Sequence, residues 1–393
     1  MRKNVEVAKV SSKTRKTDTI VEQIIHPRPS SIVAALYTLR DLETDVVIIH
    51  GPSGCCFKHS RLLEEDGIRV ITTAMDETNF VFGGDKILAK VIKRAVELFD
   101  PNLLGVIGSC ASMIIGEDIH QAVHDATPPC PVIEVEIHAG YRDNTYGAIA
   151  TLAAAVQAGV IDHTEYQRQK ELLVEATNLE KMAGVASKEY IPPSRGDIKY
   201  VTARKLLELL EQKKKGLVVL NAKKETAYQF VDVLVALSNV ASDLGNSSLK
   251  TFTNLDVNVG LPRLRKHAEN ILNDLAASNV IIDHITGGLD EYPVTGIAAG
   301  RLIEKHYNDY DFAVLLGVPH AVPMSNLGQK TIFSVTNGPR QVEPLKQLGH
   351  AHVTVEIDLH PKTLGVSHIV PSELGDTLRA VFLEEREIAT PTK

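Results

Sequence analysis

The chain has 393 residues, of which 44% are hydrophobic and 23% charged, and this composition excludes an intrinsically disordered protein. Its 49 acidic and 42 basic side chains give a net charge of −7, so no chain-wide positive field exists to hold nucleic acid. The cysteines, Cys55, Cys56, Cys110 and Cys130, are too few and too clustered for a disulfide framework, and they indicate a reducing cytoplasm.

The first segment, residues 1–20, is rich in Lys and Arg and contains no apolar run, which predicts a flexible basic tail and no signal peptide. The longest apolar tract, 147–161, is about 15 residues long, whereas a bilayer helix needs roughly 20. We therefore expect no membrane insertion.

From Asp45 onward, short β-branched runs alternate with amphipathic segments, which is the pattern of β–α–β units. The expected strands and helices of this part are strands 46–50, 68–72, 103–107 and 132–137 and helices 57–66, 85–99, 112–126 and 145–158. Because the strands are apolar on both faces, they predict a parallel sheet that is covered on both sides.

A helical, charge-rich segment ends in the turn cluster 192–197, which predicts a domain boundary near residue 195. The elements expected beyond it are strands 216–220, 280–284, 312–316, 331–335 and 353–358 and a last helix, 372–385, capped by Ser372. The predicted fold is α/β, with two or three Rossmann-like domains on parallel sheets. The predicted division of the chain is a tail at 1–20 and domains at 21–195, 196–308 and 309–393.

Two of the cysteines lie where ligands bind in open parallel sheets. Cys55 and Cys110 each follow a predicted strand and open a predicted helix, so both are expected at the carboxyl edge of the sheet. Helix amino termini favour thiolates or a thiolate-bound cluster. The alternative is that each is a small buried apolar residue, since free cysteine is among the most buried residue types.

The number of ligands limits what this pair can hold. An iron–sulfur cubane is normally held by four thiolates, and structural zinc also requires four ligands. One chain supplies only Cys55 and Cys110 in suitable places, so either histidines complete the set or two chains contribute two cysteines each across a dyad. We interpret Cys56 and Cys130 as packing residues.

Three motifs in order resemble those of the nitrogenase component 1 family: His50–Cys55, Asn79–Lys86, and Ser109-Cys110 with Ile114–Ile119. Further segments resemble one branch of that family, the Ni-sirohydrochlorin a,c-diamide reductive cyclases of methanogens: Arg28–Leu36, Glu134–Asn144, Asn221–Thr226 and Gly317–Pro323. The resemblance runs from about residue 24 to the last helix, and it implies a nitrogenase component 1-like fold.

The resemblance implies a catalytic component in which Cys55 and Cys110 are ligands of a 4Fe-4S cluster. It also implies an iron-protein-like, ATP-dependent 4Fe-4S reductase as a partner that passes electrons one at a time. The implied substrate is Ni-sirohydrochlorin a,c-diamide, a nickel tetrapyrrole that is reduced and closed into a lactam ring to give the seco precursor of coenzyme F-430. The chain has no Walker loop, so we expect ATP to bind the partner.

The sequence departs from the nitrogenase pattern at one ligand. The third cysteine of the family, upstream of the first strand, has no counterpart here, and only His26 could replace it. This departure favours a homodimer in which two chains share one cluster. Two other functions stay open: a subunit of another nitrogenase-like tetrapyrrole reductase, and a non-catalytic scaffold on which a metallocofactor is assembled.

A tetrapyrrole with several carboxylates requires cations, because Arg and Lys bind carboxylates directly. The candidates for binding the ring are Arg28, Lys58, His59, Arg142, Lys223 and Lys224, and the alternative for each basic residue is a solvated surface charge. Reduction also consumes protons, for which histidine is the usual donor. The candidate proton donors are His50, His138 and His320, and the alternative for His50 is an orienting hydrogen bond.

Overall fold

A computed structural model describes residues 30–137, 144–183, 197–290, 296–356 and 363–389. The strands are β1 (Val46–His50), β2 (Arg69–Thr72), β3 (Leu104–Gly108), β4 (Val132–Val135), β5 (Gly216–Asn221), β6 (Leu249–Thr253), β7 (His284–Ile285), β8 (Phe312–Gly317), β9 (Thr331–Thr336) and β10 (His352–Val355). The helices of the first half are α1 (Ser31–Asp41), α2 (Phe57–Glu65), α3 (Glu77–Phe82), α4 (Asp85–Phe99), α5 (Cys110–Ile115), α6 (Ile119–Ala126), α7 (Asn144–Gln157) and α8 (His163–Ala183). The helices of the second half are α9 (Asp197–Glu211), α10 (Ala227–Asp243), α11 (Pro262–Ala277), α12 (Gly296–His306), α13 (Met324–Leu327), α14 (Val342–Gln347) and α15 (Glu373–Ala389).

The first sheet contains four parallel strands in the order β2-β1-β3-β4. Its central strands are fully buried, since every residue of β1 and β3 lies in the core. Helices α4 and α6 cover one face through a cluster that includes Ile48, Leu88 and Val106. The prediction of a parallel sheet covered by helices is therefore confirmed, and it brings the ends of β1 and β3 side by side.

The second sheet contains six parallel strands in the order β10-β9-β8-β5-β6-β7. Its central pair is in register from Gly216 opposite Phe312 to Asn221 opposite Gly317. The expected division between domains 196–308 and 309–393 does not match this sheet, because β8 hydrogen-bonds to β5 on one side and β9 on the other. The predicted tail and the predicted boundary near residue 195 lie outside the described residues.

Several elements differ from the predicted ones for local reasons. The helix expected at 112–126 is two helices, because Gly116 ends α5 with a φ of 76° and Asp118 then caps α6. In place of the strand expected at 280–284, only the short β7 pairs with a neighbouring strand, with His284 opposite Phe252 and Ile285 opposite Thr253. Strand β6 and helix α3 were not predicted, since both are short segments with mixed polar and apolar residues.

A buried ion network joins the first sheet's helices to the second half of the chain. Arg40, at the end of α1, donates from Nε to Asp41 at 2.9 Å and from both terminal nitrogens to Glu225 at 3.3 and 3.4 Å. It also contacts Asp66, which follows α2, at 3.3 Å. Lys224 pairs with Asp41 at 2.5 Å.

The same network continues onto α11. Arg263 donates to Oδ1 of Asp66 at 2.7 Å, and the backbone nitrogen of Gly365 donates to the same oxygen, also at 2.7 Å. The carboxyl end of α2 is thus held by three separate parts of the chain. Within the described ranges, no helix combines the length and apolar character needed to cross a bilayer.

Candidate functional site

The cysteine site is built by two turns that leave adjacent strands. After β1 the chain turns through Gly51–Gly54, and the nitrogen of Cys55 donates to the carbonyl of Pro52 at 3.1 Å. Cys56 follows in the left-handed region, with a φ of 56°, directly before α2 begins. Cys110 is the first residue of α5, which Ser109 caps. Both turns lie at the carboxyl edge of the first sheet, as the sequence predicts.

Gly51 lets the two turns approach each other. A Cβ atom at this position would lie 2.3 Å from Oγ of Ser109 and 3.6 Å from Sγ of Cys55. The Ser109 side chain accepts from the nitrogen of Ser112 at 3.4 Å, while Oγ of Ser112 accepts from the nitrogen of Ser109 at 2.8 Å. The absence of a side chain at Gly51 therefore sets the spacing between Cys55 and the start of α5.

The thiols of this region influence one another. Burial raises the pKa of Cys55, and the neighbouring Cys110 raises it further. Burial also raises the pKa of Cys56 to about 11, with added contributions from Cys55 and Cys110. Cys56 is also packed against the buried core, together with Cys55 and Cys110. Iron binding would deprotonate such thiols, because the thiolate is the ligand.

The donor set fits half of a four-thiolate cluster site. Cys55 and Cys110 are both partly exposed, so their sulfur atoms can reach a group at the surface. Among the described residues, no group of three or more His, Cys, Asp or Glu side chains is arranged to hold a metal ion within one chain. A complete set of cysteine ligands would need a second chain.

Exposed apolar side chains surround the two turns. Phe57 directly follows Cys56 and is 65% exposed, and Ile114, in the helix that Cys110 opens, is 77% exposed. Helix α3 packs against α5 and carries Val81 and Phe82, which are also exposed. Large exposed apolar groups close together are typical of a protein–protein contact surface.

His50 lies at the end of β1 with no exposed surface and with both ring nitrogens engaged. Its Nδ1 is 3.0 Å from Oγ1 of Thr73, and its Nε2 is 3.4 Å from Oε2 of Glu117. Burial lowers the pKa of His50, although Glu117 opposes that effect. Both ring nitrogens of His50 are thus engaged within the chain, and its role as a proton donor stays a prediction from the sequence.

A second polar cluster lies at the carboxyl edge of the second sheet. Lys223 follows β5, and His320 lies in the 3-10 turn Pro319–Ala321 after β8. Burial lowers the pKa of His320 to about 4, and nearby His350 and Lys223 add to the effect. The structure thus brings the predicted Lys223 and His320 together. His350 belongs to the same cluster and accepts from or donates to Oγ of Ser334 at 2.7 Å.

The remaining predicted residues are dispersed. Lys58 is exposed, and His59 packs its ring edge-on to Tyr37 with a centroid distance of 6.0 Å. Burial lowers the pKa of His59, and Lys58 contributes to the shift. Lys224 is buried and paired with Asp41, which makes it a structural cation rather than a candidate for binding the ring.

Four predicted positions lie outside the described residues: Arg28, His138, Arg142 and the possible substitute ligand His26. Cys130 lies before β4, at the opposite edge of the first sheet from the other cysteines. Burial raises its pKa, and Asp45 and Asp100 contribute to the shift. Its position agrees with the interpretation as a packing residue.

Sequence reasoning missed Glu117 and Thr73. From the sequence, Glu117 is recognisable only as a carboxylate near the start of a helix. Its side chain is in fact 5% exposed and accepts a hydrogen bond from the nitrogen of Gly84 at 2.7 Å. Thr73 accepts from the nitrogen of Gly51 at 3.0 Å. The sequence offered one signal for each residue: Thr73 directly follows a predicted strand, and Glu117 lies within the motif segment Ile114–Ile119.

The fold is that of a nitrogenase-type protein: the model of the family described as nitrogenase component 1 type oxidoreductase matches residues 30–187, a range that includes both cysteine turns. Component CfbD of the Ni-sirohydrochlorin a,c-diamide reductive cyclase complex of Methanosarcina acetivorans is 60% identical over 362 residues, covering 92% of this chain and 98% of the relative. The components of the same name from Methanothermobacter thermautotrophicus and Methanocaldococcus jannaschii are 50% and 44% identical, each covering 90% of this chain and 98% of the relative. The chain belongs to this CfbD family, so the resemblance expected from its motifs is confirmed.

Proposed function

We propose that this chain is the catalytic component of a Ni-sirohydrochlorin a,c-diamide reductive cyclase complex. The relatives that carry this name match nearly the whole chain. The observation that carries the proposal is the pair of thiols, Cys55 and Cys110, at the carboxyl edge of the first sheet. A 4Fe-4S cluster held there would accept and pass on single electrons.

The proposal includes a homodimer that shares one cluster. Each chain offers two well-placed thiols, whereas a cubane is normally held by four. The exposed apolar groups beside the cysteines, among them Phe57 and Ile114, would be covered by the second copy. A twofold axis through the site would bring both pairs of cysteines to one point. An ATP-dependent, iron-protein-like reductase is proposed as the electron donor.

Lys223 and His320 are the proposed residues for the substrate in the second half of the chain. Their proximity at a strand-end edge places a cation beside an imidazole that burial keeps neutral. Lys223 would bind a carboxylate of the ring, and His320 would form a hydrogen bond to a neighbouring group. The roles of Arg28, Lys58, His59, Arg142 and His138 remain predictions from the sequence.

Iron content tests the cluster assignment. Protein purified without oxygen should hold about four irons per dimer. Cys55→Ala and Cys110→Ala should each remove the iron and weaken the dimer, because each change deletes two of the four ligands. Cys130→Ala is the matched control and should keep its iron, since Cys130 precedes β4 and so lies at the opposite edge of the parallel sheet. Iron loss in the Cys130 variant alone would refute the assignment.

Turnover tests the reaction. The dimer, a purified iron-protein-like reductase, ATP and Ni-sirohydrochlorin a,c-diamide should give repeated conversion, followed by absorbance and mass spectrometry. Product limited to one equivalent per dimer would instead support an assembly scaffold. Activity that required a second, different component 1 chain would support a subunit of another tetrapyrrole reductase.

A further inference from the structure

A chain of hydrogen bonds runs from a buried carboxylate to the cysteine turn. It begins at Glu117, between α5 and α6, whose Oε2 lies 3.4 Å from Nε2 of His50. It continues from Nδ1 of His50 to Oγ1 of Thr73 at 3.0 Å. It ends at Gly51, whose nitrogen donates to the same Thr73 oxygen at 3.0 Å.

An ionised Glu117 assigns a direction to each bond. An ionised carboxylate only accepts, so Nε2 of a neutral His50 carries the proton and donates to Glu117. Nδ1 of His50 is then an acceptor, and the hydroxyl of Thr73 donates to it. The Thr73 oxygen remains able to accept from the Gly51 nitrogen. Every group of the chain is satisfied in this arrangement, and the Thr73 hydroxyl also lies 3.4 Å from the carbonyl oxygen of Gly51.

The end of this chain touches the cluster site. A Cβ at Gly51 would lie 3.6 Å from Sγ of Cys55 and closer still to the Ser109 side chain. The Gly51 peptide therefore lies between the two cysteine turns. The other oxygen of Glu117 accepts from the nitrogen of Gly84, at the start of α4, at 2.7 Å, which fixes the carboxylate from the opposite side.

The pair of Glu117 and His50 carries a buried negative charge. The side chains of His50 and Glu117 are 0% and 5% exposed, so solvent screens this charge poorly. Asp85 also acts on His50, but it is exposed on α4. A buried negative charge near a cluster opposes the arrival of another electron, since net charge is one of the factors that set a cluster's potential.

We propose that Glu117 is a positioning residue of the cluster site: acting through His50 and Thr73, it fixes the Gly51 peptide beside Cys55, and its buried charge lowers the reduction potential of the cluster. The inference rests on the proposed function, because it requires the cluster at Cys55 and Cys110. It adds a residue that acts through others and does not touch the iron.

The first test measures the midpoint potential of the cluster by EPR-monitored redox titration in Glu117→Gln. Glutamine has the same size and can still accept from Gly84, while the His50 ring can change tautomer to accept from the new amide. Iron content should stay at the wild-type value and the potential should become more positive. The matched control is Asp118→Asn, which removes an exposed charge one residue away and keeps a good helix cap for α6, so its potential should equal that of the wild type.

The second test needs no cluster and so separates this inference from the proposed function. Thr73→Val keeps the shape of the side chain but removes the acceptor for the Gly51 nitrogen. In the iron-free full-length chain, Cys55 should be alkylated severalfold faster in this variant, as read by peptide mass spectrometry. The rate at Cys130 in the same sample is the internal control.

Two results would overturn the inference. One is a Glu117→Gln protein with full iron and an unchanged potential, and the other is an unchanged alkylation rate at Cys55 in Thr73→Val. A wild-type protein that binds no iron would instead refute the cluster in the proposed function. Should Glu117→Gln lose its iron, the alkylation result alone decides whether the hydrogen-bond chain positions Cys55.

Discussion

Replacement of Arg40 by Met should destabilise the protein strongly, because it unbalances a buried network of charges. Arg40 is 1% exposed and contacts three carboxylates. Among the described residues, the network joins three cations and three anions: Arg40, Lys224, Arg263, Asp41, Asp66 and Glu225. Without Arg40, two cations face three buried carboxylates, and breaking a buried pair in this way costs about 3–5 kcal/mol.

A second substitution tests whether charge balance is the cause. In Arg40→Met with Glu225→Gln, two cations face two carboxylates, and the network is neutral again. We expect the double variant to recover about 0.5–3 kcal/mol relative to Arg40→Met, which is the range of coupling energies between interacting residues. Glu225→Gln alone completes the double-mutant cycle.

Urea unfolding followed by circular dichroism gives each free energy from the midpoint and the slope of the transition. A cost below about 1 kcal/mol for Arg40→Met would refute the reasoning. A double variant no more stable than Arg40→Met would also refute it, because the loss would then come from packing of the Arg40 side chain against Tyr37 and not from charge.

Two more changes have defined outcomes. Gly51→Ala should cost about 1–3 kcal/mol of stability and lower the iron content, because the new Cβ would lie 2.3 Å from Oγ of Ser109. Gly54→Ala is the control and should be tolerated, because a Cβ at that position would have no atom within 4 Å. Equal effects of the two substitutions would contradict this steric argument. Stability should also fall as the pH decreases from about 6.5 to about 4. Burial lowers the folded-state pKa of His267, His320 and His350 to about 4, so the unfolded chain binds more protons than the folded chain in this range. Each such histidine contributes a slope of up to about 1.4 kcal/mol per pH unit to the stability. His350→Asn should therefore make the urea midpoint depend less steeply on pH over this range. An unchanged slope would show that His350 titrates normally.

The sequence was sufficient for the parallel first sheet and for the position of the cysteine pair. Both follow from local patterns: a buried β-branched strand, a glycine-containing turn and the start of a helix around Cys55, and a similar series around Cys110. The resemblance added the identity of the family. The second sheet was harder to predict, because β6 mixes polar and apolar residues without a regular pattern over only five positions, Leu249–Thr253.

The contacts around the site could not be predicted in the same way. Arg40 and Glu225 are 185 residues apart, and nothing in either neighbourhood indicates that they meet. The same reason explains why the buried position of Lys224 was not predicted: its motif segment indicates a surface cation, whereas the side chain is buried against Asp41. Glu117 and His50 are separated by 67 residues, and their pairing depends on how α5 returns to the first sheet.

The way α2 is held has a consequence for protein dissection. One end of this helix follows Cys55 and Cys56, while Asp66 at its other end is bound by Arg263 and by the backbone of Gly365. A fragment limited to residues 30–187, the part that matches the family model, would lose both of these donors and Glu225 as well. Excision would leave Arg40 facing Asp41 and Asp66 in water-exposed surroundings and would free the helix that follows the cysteine turn. A minimal cluster-binding module cut from this protein therefore has to retain the chain as far as Gly365, or replace these partners by design.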